Sequence, residues 1–473
     1  MRLRTLITAL LALTLVAAAC ADGAEDTSST GGEPSASTTP PTGGEDGGGR
    51  GWIDGSPADA TGTRDGGRGL AEGGIEMATD AVDDEAPAAV AVDEAADRGD
   101  DDAAIEPAEP QLGTPRAGSI DDNEAWADYL AWRATLTDAG VAHRSLEVAD
   151  RTVIVVRDAE GAPLVDVPVD IFEGGSPVTT LRTRAGGRLL VHASAWGIDG
   201  EELRLRVTPP QGEPVEAVVP VGGTAEVVAD GAGTPEVVDL HVVLDVTGSM
   251  SDEIAQLRDA VDSIAVGVDA LPGRPSLRLG MTVYRDEGDD FVTRTFDLTD
   301  DIDSFRAALD DVRADGGGDN PEALDEALAE ALSAPAWTTD VGALRLVVVI
   351  ADAPPQVGRQ LGQPYTDSLL LAGEMGVKVH AIAASGTDDE AEYAFREMAA
   401  VTDGRFVFLS YASGGTATGD SSDVEDRDWE ELPLDGLVVR LIAEDLAASG
   451  SGTGQQSPAP TTTSTTEAVE GQG

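Results

Sequence analysis

The chain has 473 residues, with 88 Asp and Glu against 30 Lys and Arg and a formal net charge of −58. That balance argues against nucleic acid as a partner, because such binding is driven by cationic neutralisation of phosphate, and it disfavours anionic lipid surfaces. Lys378 is the only lysine, which removes the G-K-S/T phosphate loop and the S-x-x-K nucleophile pair.

Arg2 and Arg4 precede an apolar run from Leu6 to Val16, followed by Ala17, Ala18, Ala19 and Cys20, the only cysteine. This is the charged, apolar and small-residue layout of an export signal, and it is too short to span a membrane. The sole cysteine directly after three small residues resembles a bacterial lipobox, which implies lipidation at Cys20. The chain is therefore expected to be exported and anchored to the cell membrane, facing outside, with free secretion as the alternative. With no second cysteine there is no internal disulfide, so folded parts must rely on their cores.

Residues 21–118 are dominated by Gly, Ala, Asp, Glu, Ser, Thr and Pro without sustained apolar periodicity, and they read as a disordered acidic tether. Flexible-chain scaling gives such a segment a reach of roughly 50–60 Å. Residues 450–473, rich in Thr and Ser, read as a second disordered stretch.

Residues 119–232 combine a short helix with a β-rich segment. Trp126, Tyr129, Leu130, Trp132 and Leu136 mark the helix, with aromatics read as core. Strands are expected at 151–156, 165–172, 178–182, 187–192 and 203–208, divided by Gly, Asp and Pro turns, as in an antiparallel sandwich. The pattern from Val156 to Val169, with Thr183 to Arg188, resembles transthyretin-like or carboxypeptidase-regulatory β-sandwich modules of exported bacterial proteins. His143 and His192 each stand alone, a pattern more typical of surface or packed structure than of a ligand.

In residues 233–449 strand and helix alternate, which predicts an α/β fold with a doubly wound, mostly parallel sheet. Val242, Val243 and Leu244 end at Asp245, Val246, Thr247, Gly248 and Ser249, after which Ile254, Leu257, Val261, Ile264 and Val268 recur at helical spacing. Asp245, Thr247 and Ser249 thus sit in a strand-to-helix loop, where ligands of open α/β sheets bind. By themselves they admit two readings: oxygen ligands of a cation, or a strand end followed by a Ser249 or Ser251 helix cap. A second buried strand, 346–350, ends at Asp352. Between them the run Gly316-Gly317-Gly318-Asp319-Asn320-Pro321-Glu322 leads into a helix on Leu324, Leu328 and Leu332. Pro321 suits the first helical position, leaving Asp319 either a ligand or an N-cap.

Residues from about 235 to 448 resemble a von Willebrand factor A domain, in a subgroup with hemicentin-like and bacterial members. The family motif D-x-S/T-x-S, its metal-ion-dependent adhesion site, matches Asp245, Thr247 and Ser249, and its distal aspartate matches Asp352. Tyr284-Arg285-Asp286, the Gly-Gly-Gly-Asp-x-Pro-Glu run, Asp-Ala-Pro-Pro and the segment from Phe395 to Gly404 complete the likeness. The threonine that many members offer from the intervening loop is missing, with Asp319 the nearest oxygen side chain. The resemblance implies a divalent cation held by Asp245, Thr247, Ser249 and Asp352, with Asp319 either a further ligand or only a helix cap; Mg²⁺ is foremost, with Mn²⁺ or Ca²⁺ also suited to hard oxygen ligands. It also implies binding of an extracellular or envelope protein whose acidic residue completes the coordination. A metal-stabilised assembly subunit of an envelope complex is the alternative. No enzymatic role is expected, because His241 and His380 fall in mid-strand and no nucleophile elbow appears.

Overall fold

The computed structural model describes residues 53–54, 115–231, 235–318, 320–339, 342–359, 362–384, 386–411 and 433–450. Cys20 with its export signal, most of the expected tether, Asp319 and the Thr-rich 451–473 stretch lie outside the described residues.

In chain order, β1 (Ile53–Asp54) and β2 (Pro115–Ile120) lead into helix α1 (Trp126–Ala139). Seven strands follow: β3 (Arg151–Arg157), β4 (Pro168–Glu173), β5 (Ser176–Arg182), β6 (Arg188–His192), β7 (Glu202–Val207), β8 (Val215–Pro220) and β9 (Thr224–Val228). The α/β region then runs β10 (Val237–Asp245), α2 (Ser251–Asp269), β11 (Ser276–Tyr284), β12 (Thr293–Thr299), α3 (Ile302–Asp311), α4 (Leu324–Ser333) and β13 (Ala343–Ala351). It closes with α5 (Tyr365–Met375), β14 (Val377–Ala383), α6 (Asp389–Val401), β15 (Phe406–Tyr411) and α7 (Leu434–Ala448).

Among the described residues the main sheet has the order β1-β12-β11-β10-β13-β14-β15-β2. Strands β11, β10, β13, β14 and β15 are mutually parallel, and the antiparallel strands β12 and β2 flank them. Order reverses at β10, the switch point at which ligand crevices form in such sheets. Every residue of β13 and β14 is buried, as expected of strands covered on both faces. Their alternation sorts two cores. Leu344, Leu346, Val348 and Ile350 pack with α2, α3 and α7, whereas Val347, Val349 and Ala351 pack with α4, α5 and α6. The predicted apolar stripe of α2, Ile254 through Val268, is buried at all five positions. Each such aliphatic side chain contributes about 1.5–3 kcal/mol, so these two layers hold the strand ends rigidly.

Residues 115–120 carry no run of β-branched side chains, and the sequence assigned them no strand; pairing with β15 makes them one. Helix α1 packs on the main sheet's helical layer through Tyr129, and Arg396 stacks over Trp132 with 3.6 Å from Cζ to the ring centre. The β-rich segment forms two sheets, β6-β3-β9 and β5-β4-β7-β8, around one apolar cluster that includes Ile154, Ile171, Leu189 and Leu205. Strands β8 and β9 were not predicted, and β9 runs parallel to β3, which departs from a wholly antiparallel sandwich.

The sandwich docks against the amino ends of the parallel strands. Asp166, in a left-handed conformation with φ of 62°, accepts from both guanidinium nitrogens of Arg345 at 2.6 and 3.0 Å. Arg184 Nε donates to Val377 O at 2.9 Å, and Arg188 pairs with Asp403 at 3.0 Å. The opposite, carboxyl ends of the strands stay free for the loops that carry the predicted ligands.

Candidate metal centre

Strands β10 and β13 are hydrogen-bonded neighbours with Leu244 opposite Ile350, so Asp245 and Asp352 leave the sheet side by side. Asp245 is completely buried. Its Oδ1 accepts from the Thr247 N–H at 2.9 Å and the Thr247 hydroxyl at 2.7 Å, while its Oδ2 has no hydrogen-bond partner among the described residues. Asp352 is buried too, and its Oδ1 is likewise unpartnered among the described residues. Ser249 hydrogen-bonds Asp352, and its Oγ lies 3.4 Å from Thr247 Oγ1. Two carboxylates and two hydroxyls are thus linked into one cluster.

Electrostatics mark the cluster as unfinished. Burial, reinforced by the charge of Asp352, pushes the Asp245 carboxyl up to about 7 even though the Thr247 bonds pull it back. Asp352 is raised as well, first by burial and then by Asp388, the N-cap of α6. Buried polar groups are normally hydrogen-bonded, so two bare carboxylate oxygens at neighbouring strand ends require another partner.

The helix-cap explanation of these residues does not hold. The loop passes through a 3-10 turn at Gly248–Met250, and the N-cap of α2 is Met250, with no side-chain capping bond. Nor does Pro321 open a helix. The Glu322 N–H is taken by Pro354 O at 2.9 Å in a bridge to Pro355, so α4 begins only at Leu324 with Ala323 as N-cap. The structure therefore gives α4 a cap other than Asp319 or Asn320.

The glycine run does approach the site. Gly248 N–H donates to Gly316 O at 3.3 Å, and Asp315 N–H donates to Val246 O at 3.0 Å. At Gly317, with φ of 75°, a Cβ would meet Glu322 Oε1 at 3.0 Å and Thr247 Cβ at 3.2 Å. Only glycine fits there, which brings Glu322 up behind Thr247. Tyr284, registered opposite Asp245, has a buried hydroxyl whose pKa is raised well above its ordinary value. Burial is the main cause, followed by Asp245, Asp352 and Glu322 in that order. Sequence reading passed over Glu322 and Tyr284 as site residues; the signals available were the turn before α4 and the paired end of β11. Among the described residues no three carboxylate, imidazole or thiolate groups form a ready-made metal cage.

The expected mid-strand histidines lie elsewhere. His241 is buried, bonded to Thr282 at 2.9 Å, and burial lowers it to about 3. His380 accepts from the Arg405 N–H at Nδ1 and meets Asp445 through Nε2 at 3.2 Å, in the amino half of β14. Isolated His192 is packed and lowered by burial to about 4.

Residues 239–417 match the family described as von Willebrand factor type A domain. This segment is a von Willebrand factor type A domain. The chain is also 33% identical over 119 residues to the ariadne-like RING finger protein R811 of Acanthamoeba polyphaga mimivirus, a match covering 25% of this chain and 11% of that protein. Among solved structures it is similar to the conserved hypothetical protein BatB of Bacteroides thetaiotaomicron (19% identity, 46% of this chain and 100% of that one, TM-score 0.30). It is also similar to proximal thread matrix protein 1 from the mussel byssus with a zinc-occupied MIDAS motif (16%, 45% and 46%, 0.31). A third likeness is the pilus adhesin SpaC of Lactobacillus rhamnosus GG (14%, 52% and 32%, 0.29). The von Willebrand factor type A domain accounts for the parallel sheet and the loop carrying Asp245, Thr247 and Ser249 at its carboxyl edge.

Proposed function

We propose that the von Willebrand factor type A domain holds a divalent cation at Asp245, Thr247, Ser249 and Asp352 and binds a protein partner through it. The observation that carries this reading is the pair of buried oxygens, Asp245 Oδ2 and Asp352 Oδ1, at adjacent strand ends, neither with a partner among the described residues. The donor set is all oxygen, which suits Mg²⁺, Mn²⁺ or Ca²⁺. When bound, the ion supplies a Lewis-acidic position that an acidic side chain of the partner completes. Thr247 orients Asp245 by its two bonds to Oδ1, which leaves Oδ2 for the ion; Ser249 does the same for Asp352. Asp319, from the same glycine run, is a candidate for a further carboxylate contact.

The wider reading is a non-enzymatic, lipid-anchored adhesion protein at the outer face of the membrane, tethered at Cys20 and projected by the residues between Cys20 and β1. The packed histidines support the non-enzymatic part, since neither His241 nor His380 adjoins the cation loop. The sandwich acts as a rigid base beneath the domain, which fits the transthyretin-like resemblance.

Thermal unfolding tests the metal. Mg²⁺ or Mn²⁺ is expected to raise the melting temperature of the full chain, and the rise should vanish with EDTA or in Asp245→Ala. No rise in the unaltered protein would sink the cation reading. Cys20→Ala is expected to move the protein from the membrane fraction to the medium, and unchanged membrane association would remove the anchor.

A further inference from the structure

A cavity of about 370 Å³ opens beside the metal loop, lined by Val246, Phe291 and three arginines, Arg285, Arg294 and Arg313. Val246 stands between Asp245 and Thr247, so the cavity wall and the cation cluster share one stretch of backbone.

Three guanidinium groups in one cavity are unexpected in a chain of net charge −58. Arg285 is 7% exposed; it donates to Arg313 O at 3.1 Å, but its buried Nε has no partner among the described residues. Phe291 lies between two cations, with Arg294 Cζ 3.9 Å and Arg285 Cζ 4.7 Å from the ring centre. Asp290 and Asp311 also line the cavity. A buried guanidinium donor with no acceptor is costly, and a planar carboxylate is the acceptor its fork fits. Beside the cavity, β1 pairs antiparallel with β12, setting Asp54 opposite Arg294 along the backbone.

We propose that this cavity is an anion subsite that takes one carboxylate of an extended acidic peptide segment of the partner, whose second carboxylate meets the cation at Asp245 and Asp352. The two-point grip rests on the metal reading given above, whereas the cavity stands on its own residues. The protein's overall negative charge does not forbid this. At physiological ionic strength repulsion is screened beyond about 8 Å, and the groups lining the cavity decide.

The test is fluorescence anisotropy of the full chain with a labelled synthetic peptide of alternating glycine and aspartate, and with its asparagine counterpart, in Mg²⁺ and in EDTA. The aspartate peptide is expected to bind and the asparagine peptide not. Arg294→Gln, at a half-buried strand position, and Arg285→Gln should each weaken binding about tenfold in both buffers, as loss of a charge-assisted bond implies. Asp245→Ala should remove only the increment due to Mg²⁺. Binding unchanged in Arg294→Gln and Arg285→Gln, with melting temperatures intact, overturns the subsite while leaving the metal reading standing if Asp245→Ala still abolishes the increment. Weakening in the arginine variants with no Mg²⁺ increment supports the cavity and overturns the two-point grip.

Discussion

Asp245 and Asp352 leave adjacent parallel strands together, and each keeps one buried carboxylate oxygen without a hydrogen-bond partner among the described residues. Two like charges held out of water repel, and burial already lifts both carboxyls. The pair therefore weakens the domain, and under the proposed function a cation relieves that repulsion.

Neutralising one member should expose that trade. Asp245→Asn keeps an oxygen for the two Thr247 bonds while removing a charge, and it is expected to stabilise the metal-free protein by about 1–3 kcal/mol. The same change should abolish the stabilisation by Mg²⁺. Denaturant titration with and without the ion reads both effects, and a variant less stable than the original in EDTA would contradict the account.

Gly317→Ala places a Cβ at positive φ, against Glu322 and Thr247. The expected cost is about 1–3 kcal/mol, together with a weaker response to Mg²⁺ because Thr247 must shift. Gly318→Ala, which meets nothing within 4 Å among the described residues, serves as the control and should leave the ion response in place.

At the opposite edge, Asp445 pairs with Lys378 at 2.6 Å. Burial alone would raise the Asp445 carboxyl, but Lys378 and His380 outweigh it and hold it near 2. Burial alone would likewise lower Lys378, but its pairing with Asp445 outweighs that and raises it. A depressed carboxylate stabilises the fold above its unfolded pKa and loses that contribution as pH falls through the folded one. Relative to Asp445→Asn, the original protein should therefore lose about 2 kcal/mol between roughly pH 4 and pH 2. Urea unfolding at a series of pH values checks this; a pH-independent difference would refute it.

Arg345 holds Asp166 of the sandwich with two bonds. Arg345→Met leaves that carboxylate buried with less compensation, at an expected cost of about 3–5 kcal/mol. Calorimetry should show the sandwich and the α/β domain separating into two transitions. A single unshifted transition would mean that the two do not stabilise one another through this contact.

Much of the α/β region was readable because its signals are local. The apolar run from Leu346 to Ile350 and the stripe from Ile254 to Val268 announce their own burial, and Asp245 and Asp352 are visible as carboxylates closing apolar strands. Strands β2, β8 and β9 were not readable in that way. Residues 115–120 are extended only because β15 offers an edge, and 215–228 are short runs whose pairing comes from β7 and β3.

The sequence by itself determined the order of strands and helices, the parallel sheet they imply, and the identity of the oxygens at two strand ends. Tertiary structure alone decided that Asp245 and Asp352 are neighbours, that Met250 and Ala323 rather than the candidate ligands cap the helices, and that Glu322 and Arg285 stand beside the loop. The reason is physical. Periodicity and burial are written residue by residue, whereas proximity between loops depends on strand order and on Gly317 admitting a close backbone approach.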